Sequence, residues 1–156
     1  MKSDRHSPLA AAQEATTIGG YCTAIAKALD ARGVDSDRIF RSVGVQPHMA
    51  NGPMVRLPAA TLTRLYRACV DATNNPYFGL SVARHIHISN LHALGYALAA
   101  SSTLLDFCRR LERHFRLVSQ AATLRVIEAG NRIALRGTDF NIEVSGETED
   151  AFVSWC

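Results

Sequence analysis

The densest set of ligand-type side chains in the sequence is His85, His87 and His92, three imidazoles within eight residues. A His-x-His-x4-His spacing can serve zinc or nickel. No neighbouring Cys, Asp or Glu completes a coordination set, because Asp71 and Asp106 are distant in the chain. A His-based metal or haem sensor is thus one reading of these residues, and ordinary loop or capping histidines the simpler one. A second concentration lies at Arg109, Arg110, Arg113 and Arg116, in a stretch otherwise rich in apolar residues. Guanidinium groups bind carboxylates and phosphates bidentately, but Asp106–Arg110 and Glu112–Arg116 stand four apart. That spacing lets part of the charge pair along a helix and face water. Tyr96 and His114 are candidate anchors for a small molecule, since each offers a hydrogen-bonding tip on an otherwise apolar face. His114 sits at the edge of an apolar seam, where a half-buried position is expected. Arg116 or Arg125 could hold the carboxylate of an acidic ligand. Nothing local resembles a catalytic set: there is no Gly-x-Ser-x-Gly elbow, no phosphate loop and no nucleophile spaced to a base, so no enzyme is expected.

The elements that would position these groups are mostly helical. Thr16 or Thr17 can cap a helix with Ile18, Tyr21, Cys22, Ile25 and Leu29 on one face, ended by Gly33. Ser36 precedes a short amphipathic helix carrying Ile39, Phe40 and Val43 and closed by Gly44. Pro47, Asn51, Gly52 and Pro53 then break the chain. Pro58 suits the first turn of a helix striped by Leu62, Leu65, Tyr66, Cys69 and Val70, which Asn74-Asn75-Pro76 stops. A helix over Phe78 to His85 carries Leu80, Val82 and Ala83. Two more fill Leu91 to Gln120 and break at Ser101-Ser102; the second has Leu104, Cys108, Leu111, Phe115 and Val118 as its apolar seam. The period changes after Ala122. Leu124 and Val126, then Ile133 and Leu135, alternate about Gly130-Asn131, the pattern of a hairpin. Residues 140–145, "FNIEVS", could add a strand. Ser145 with Glu147, Glu149 and Asp150 reads as a helix start, after which the chain stops at Cys156; a fragment of a longer protein is expected. The fold class is therefore α+β, five to six helices packed on a small antiparallel hairpin near the C-terminus.

Bulk properties narrow the function classes. At 156 residues, the chain is long enough for one domain with its own core, expected over 16–156 behind a polar leader at 1–15. No apolar run reaches the length of a membrane span, and the start has no signal-peptide core. Four scattered cysteines without a Cys-x-x-Cys pair fit free thiols in the cytoplasm better than disulfides or a zinc knuckle. A net charge of +3 is too small for a dedicated nucleic-acid reader. The stretch Arg38 to Met49, "RIFRSVGVQPHM", imitates a helix-turn-helix, but Asn51-Gly52-Pro53 cuts the second helix too short to lie in a major groove.

"LGYALAASSTLLDFCRRLERHFRLVS", Leu94 to Ser119, resembles the N-terminal sensor domain of AraC/XylS-type bacterial transcription regulators, in the subgroup labelled arabinose-binding. The resemblance is carried by Leu94-Gly95-Tyr96-Ala97-Leu98, a small-residue break, then Thr103-Leu104 and an Arg-bearing helix. "RSVGVQPHM" and Val55 to Arg84 extend it, so that it spans nearly all of 17–156. The linker from His85 to His92 departs from it, being His-rich where Gly, Pro or Asp would be expected. The resemblance implies an effector-sensing, often dimerising domain; no cofactor is expected. It also implies a separate C-terminal pair of helix-turn-helix units, not found in these residues, that would contact promoter DNA. Members of the subgroup sense different small molecules, so arabinose itself does not follow from the label.

Overall fold

A computed structural model of the chain describes residues 14–46 and 55–138, together with Gly146, Glu149 and Asp150, which are helical. The strand expected at 140–145, the Ser145 cap and the Pro47–Met49 part of the helix-turn-helix imitation lie outside the described residues.

Two small antiparallel sheets and six α-helices make up residues 14–46 and 55–138: a mainly helical α+β fold. The first strand, β1 (Thr16–Ile18), pairs with β2 (Arg56–Pro58) in the register Thr16 to Pro58. This corrects the expectation that Thr16 or Thr17 caps the first helix. The Thr17 hydroxyl donates instead to the Val118 carbonyl at 3.1 Å, and α1 (Gly20–Asp30) begins after Gly19 with no side-chain cap. Pairing across forty residues leaves no local signature, so periodicity alone assigned these threonines to the helix they precede.

The remaining elements follow their local chemistry closely. Gly33 takes φ +72 just beyond α1, and Val34 N–H returns to the Leu29 carbonyl, a C-terminal closure that favours glycine. Asp35, rather than Ser36, caps α2 (Ser36–Ser42): its carboxylate accepts the Arg38 N–H at 3.1 Å. Pro58 is the residue before α3 (Ala59–Thr73), whose stripe Leu62, Leu65, Tyr66 and Cys69 is buried. Asn74 stops that helix at φ 47. The next helix, α4 (Phe78–Ala83), is two residues shorter than expected, and its Leu80 is 44% exposed while Phe78 and Val82 are buried. A single 3₁₀ turn (Ile88–Leu91) leads into α5 (His92–Ala99) and α6 (Leu104–Val118). Thr103 caps α6 by accepting the Asp106 N–H at 3.1 Å. Strands β3 (Thr123–Ala129) and β4 (Arg132–Thr138) form the hairpin with Val126 opposite Leu135. Gly130 has φ +59 at the first turn position, as a glycine-led two-residue hairpin requires.

One core serves all of these elements. Ile25 and Leu29 of α1, Phe40 of α2, Leu65 and Tyr66 of α3, Phe78 of α4, Leu111 of α6 and Leu124 of β3 belong to a single buried cluster. The α6 seam holds as read at Cys108, Leu111, Phe115 and Val118, but Leu104 is 66% exposed at the helix start. Arg32 ties α1 to α4: one guanidinium nitrogen donates to the Ser81 hydroxyl at 2.6 Å, and the group lies 5.7 Å above the Phe78 ring.

Candidate functional site

The candidate anchors Tyr96, His114, Arg116 and Arg125 all sit on α5, α6 and β3, so the way these three elements are held decides what they can do. The 3₁₀ turn before α5 is wedged between two glycines. A side chain at Gly20 of α1 would collide with the Asn90 carbonyl, and one at Gly95 of α5 with the Ile88 carbonyl. Only hydrogen atoms at these positions allow the turn to pass between the helices. Asn90 fastens the turn, its amide accepting the His87 N–H at 2.6 Å and donating to the Gly20 carbonyl at 3.2 Å. This explains a glycine in the run Leu94-Gly95-Tyr96 that composition could not.

Where α6 ends, Arg56 of β2 makes a second clamp. Its guanidinium donates to the Thr16 hydroxyl (2.7 Å), the Thr16 carbonyl (3.0 Å) and the Leu117 carbonyl (2.8 Å). Gln120 completes the joint by accepting the Thr16 hydroxyl at 2.8 Å. A cation placed on the last carbonyls of a helix also complements its dipole. Partial desolvation lowers the pKa of Arg56 from its ordinary value, which an arginine tolerates without losing its charge. Nothing local in the sequence singles out Arg56, because all of its partners are distant in the chain.

The outer side of α6 is stitched to the hairpin. Arg109 pairs with Glu128 of β3 at 2.7 Å, and Asp106 takes Arg110 at 3.0 Å as the i,i+4 spacing predicted. The Arg110 hydrogen bond holds the Asp106 carboxyl below its usual pKa, opposed by some desolvation and helped by the Ser102 N–H. Glu112 departs from the expected pairing with Arg116. Its carboxylate accepts the Val126 N–H at 3.3 Å and lies 3.9 Å from the Arg125 guanidinium, so it caps the free edge of β3.

Against this frame the predicted anchors fall on the outside. Tyr96 is 65% exposed, and its helix buries Leu94, Gly95 and Leu98 instead. His114 is exposed rather than half-buried, one position ahead of buried Phe115 and three past buried Leu111. Arg116 and Arg125 are exposed as well. The four are distributed over two helices and a strand, and the seam between α6 and β3 is filled by Leu111, Phe115, Val118 and Leu124. The alternative metal set fares differently. Among the described residues no three His, Cys, Asp or Glu side chains come close enough to share an ion, so His85, His87 and His92 are not gathered. His87 instead serves the 3₁₀ turn through its backbone, its carbonyl accepting the Asn90 N–H at 2.9 Å and its N–H donating to the Asn90 side chain.

One feature escaped the sequence reading. His92 enters α5 with φ 52 and ψ −136, a conformation favourable to glycine, and its buried Nε2 has no hydrogen-bond partner among the described residues. Cys22 and Cys69 are buried free thiols, pushed up to about 12 by desolvation, with Cys22 adding to the effect on Cys69. Such thiols are poor nucleophiles at neutral pH. No described helix is long and apolar enough to cross a membrane.

With this geometry established, comparison with known proteins adds one finding. Across residues 33–154 the sequence matches the family described as the arabinose-binding domain of AraC transcription regulators, at their N-terminus. No curated protein matches the chain.

Proposed function

The chain belongs to that family of N-terminal domains of AraC transcription regulators, and from this premise we propose that it is the effector-sensing module of such a regulator. The observation that carries the reading is the match over residues 33–154, which includes every described element from α2 to β4. The module binds a small organic molecule and performs no catalysis. It acts in the cytoplasm and reads promoter sequence only through a separate DNA-binding domain.

The effector engages the surface formed by α5, α6 and β3, with Tyr96 and His114 as its hydrogen-bonding anchors. Arg116 or Arg125 takes a carboxylate where the ligand has one. Two features support this placement. The anchors carry their polar groups on well-fixed helices, and α5 is bound to the core through the Gly20–Asn90–Gly95 wedge. To regulate, the ligand must bind one arrangement of the module more tightly than another; about 1–3 kcal/mol of coupling is usual. Once a ligand has been identified by calorimetric screening, Tyr96→Phe and His114→Ala should each weaken it roughly tenfold, the loss expected for a single net hydrogen bond. Unchanged affinity in both variants would remove the anchors from the site.

A second reading, a ligand-free dimerisation module, is favoured by the exposed large apolar side chains Ile88 (46%), Tyr96 (65%) and Leu104 (66%). Light scattering separates the two readings: a homodimer weakened by Tyr96→Ala, with no small molecule bound, would favour the second.

A further inference from the structure

The outward face of the β3–β4 hairpin carries a charge pattern of which the effector reading uses Arg125 alone. The register places Arg125 directly opposite Arg136, and Ala129 opposite Arg132. Side chains alternate along a strand, and Leu124 is buried against the helices, so Arg125, Ile127, Arg132, Ala134 and Arg136 share the opposite, exposed face. Among the described residues that face has three arginines and no carboxylate. Glu112 reaches Arg125 from the strand edge at 3.9 Å, whereas no ion pair of Arg132 or Arg136 is found among the described residues. Like charges directly across a pair of strands destabilise it. The whole stretch from Leu104 to Thr138 holds seven arginines against three carboxylates.

We propose that this face is a contact surface for the phosphate backbone of nucleic acid, independent of base sequence. Dimensions favour an extended polyanion over a small acid. Arg132 and Arg136 are four residues apart on one strand, about 13 Å. A single DNA strand places a charge about every 3.4 Å along its axis, so the arginines span several phosphates while a small carboxylate reaches one. Arginine suits the purpose through its bidentate fork, and 15 of the 17 basic residues are arginines. Three contacts are too few to read bases, in keeping with the modest net charge, but enough to bias how the module lies along DNA already held by a partner domain. The proposal rests on the chain being part of a transcription regulator.

The test is titration of the whole chain with a random-sequence 24-base-pair duplex at about 20 mM salt, repeated at several salt concentrations. Binding should be weak and insensitive to sequence, with a slope of log affinity against log salt near −3, since each phosphate contact contributes about −0.9. Arg132→Gln with Arg136→Gln should reduce the slope by about 2 and the affinity several-fold. Arg38→Gln, on exposed α2, should leave both unchanged, and circular dichroism confirms that each variant is folded. No binding at 20 mM salt, a slope untouched by the double substitution, or preference for polyglutamate over DNA would each overturn the proposal. None of these outcomes bears on small-molecule binding, so the effector reading stands or falls separately.

Discussion

His92 joins the 3₁₀ turn to α5 at φ 52 and ψ −136, where a β-carbon is crowded and glycine is at ease. Holding a side-chain-bearing residue there costs about 1–3 kcal/mol, and the buried Nε2 recovers no hydrogen bond. His92→Gly should therefore raise stability by about 1 kcal/mol after the added chain entropy of glycine, seen as a melting temperature about 2–4 °C higher. A lower melting temperature would show that the imidazole makes contacts outweighing the strain. Gly95 presents the opposite case. Gly95→Ala drives a methyl group into the Ile88 carbonyl, and about 3 kcal/mol of destabilisation is expected in urea unfolding. The sequence showed the histidine-rich linker as unusual, yet it could not show the reason. The turn that leads into His92 and meets Gly95 is also held by Gly20 of α1, 70 residues before Asn90.

Elements whose causes are local were legible, and those whose causes are distant were not. The hairpin announced itself through alternating residues around Gly130-Asn131, and α6 through a seam that holds at Cys108, Leu111, Phe115 and Val118 but not at Leu104. β1 was missed because Thr16–Ile18 is a strand only by virtue of Arg56–Pro58 and Val118. The outward positions of Tyr96 and His114 were missed for a related reason. A helix with apolar residues on several sides does not declare which side a neighbour covers. For α6, Thr103→Ala should cost about 1 kcal/mol through the lost cap, and Leu111→Ala about 2–5 kcal/mol through the cavity left in a fully buried site. The start of α6 also responds to acid. The folded pKa of Asp106 lies below its unfolded value, so its contribution is present above the unfolded value and fades as pH falls through the folded one. Asp106→Asn should accordingly flatten the acid side of the stability profile while leaving the neutral side nearly parallel to wild type.

At the scale of the molecule, one hydrophobic core binds both sheets and all six described helices, so a ligand bound at α5 or α6 acts on the entire module. That core also sets the alkaline limit. Cys22 and Cys69 keep their protons to about 12 when folded, whereas an unfolded thiol releases its proton near its ordinary value of 9.0. Stability is therefore complete below about pH 9 and declines from there to about 12. Cys22→Ala with Cys69→Ala should make that decline shallower in chemical denaturation across the range. Fold class and family were readable because they depend on the order and spacing of many weak signals. The ligand was not, because it depends on how a few exposed side chains converge in space. The most direct measurement of the central claim is the melting temperature of the purified chain against a panel of small carboxylic acids, amino acids and sugars. A sensor should show a saturable upward shift with at least one chemical class, amounting to about 2.7 kcal/mol at a hundredfold excess over Kd. A flat response to every compound, from a chain shown to be folded, would contradict the account.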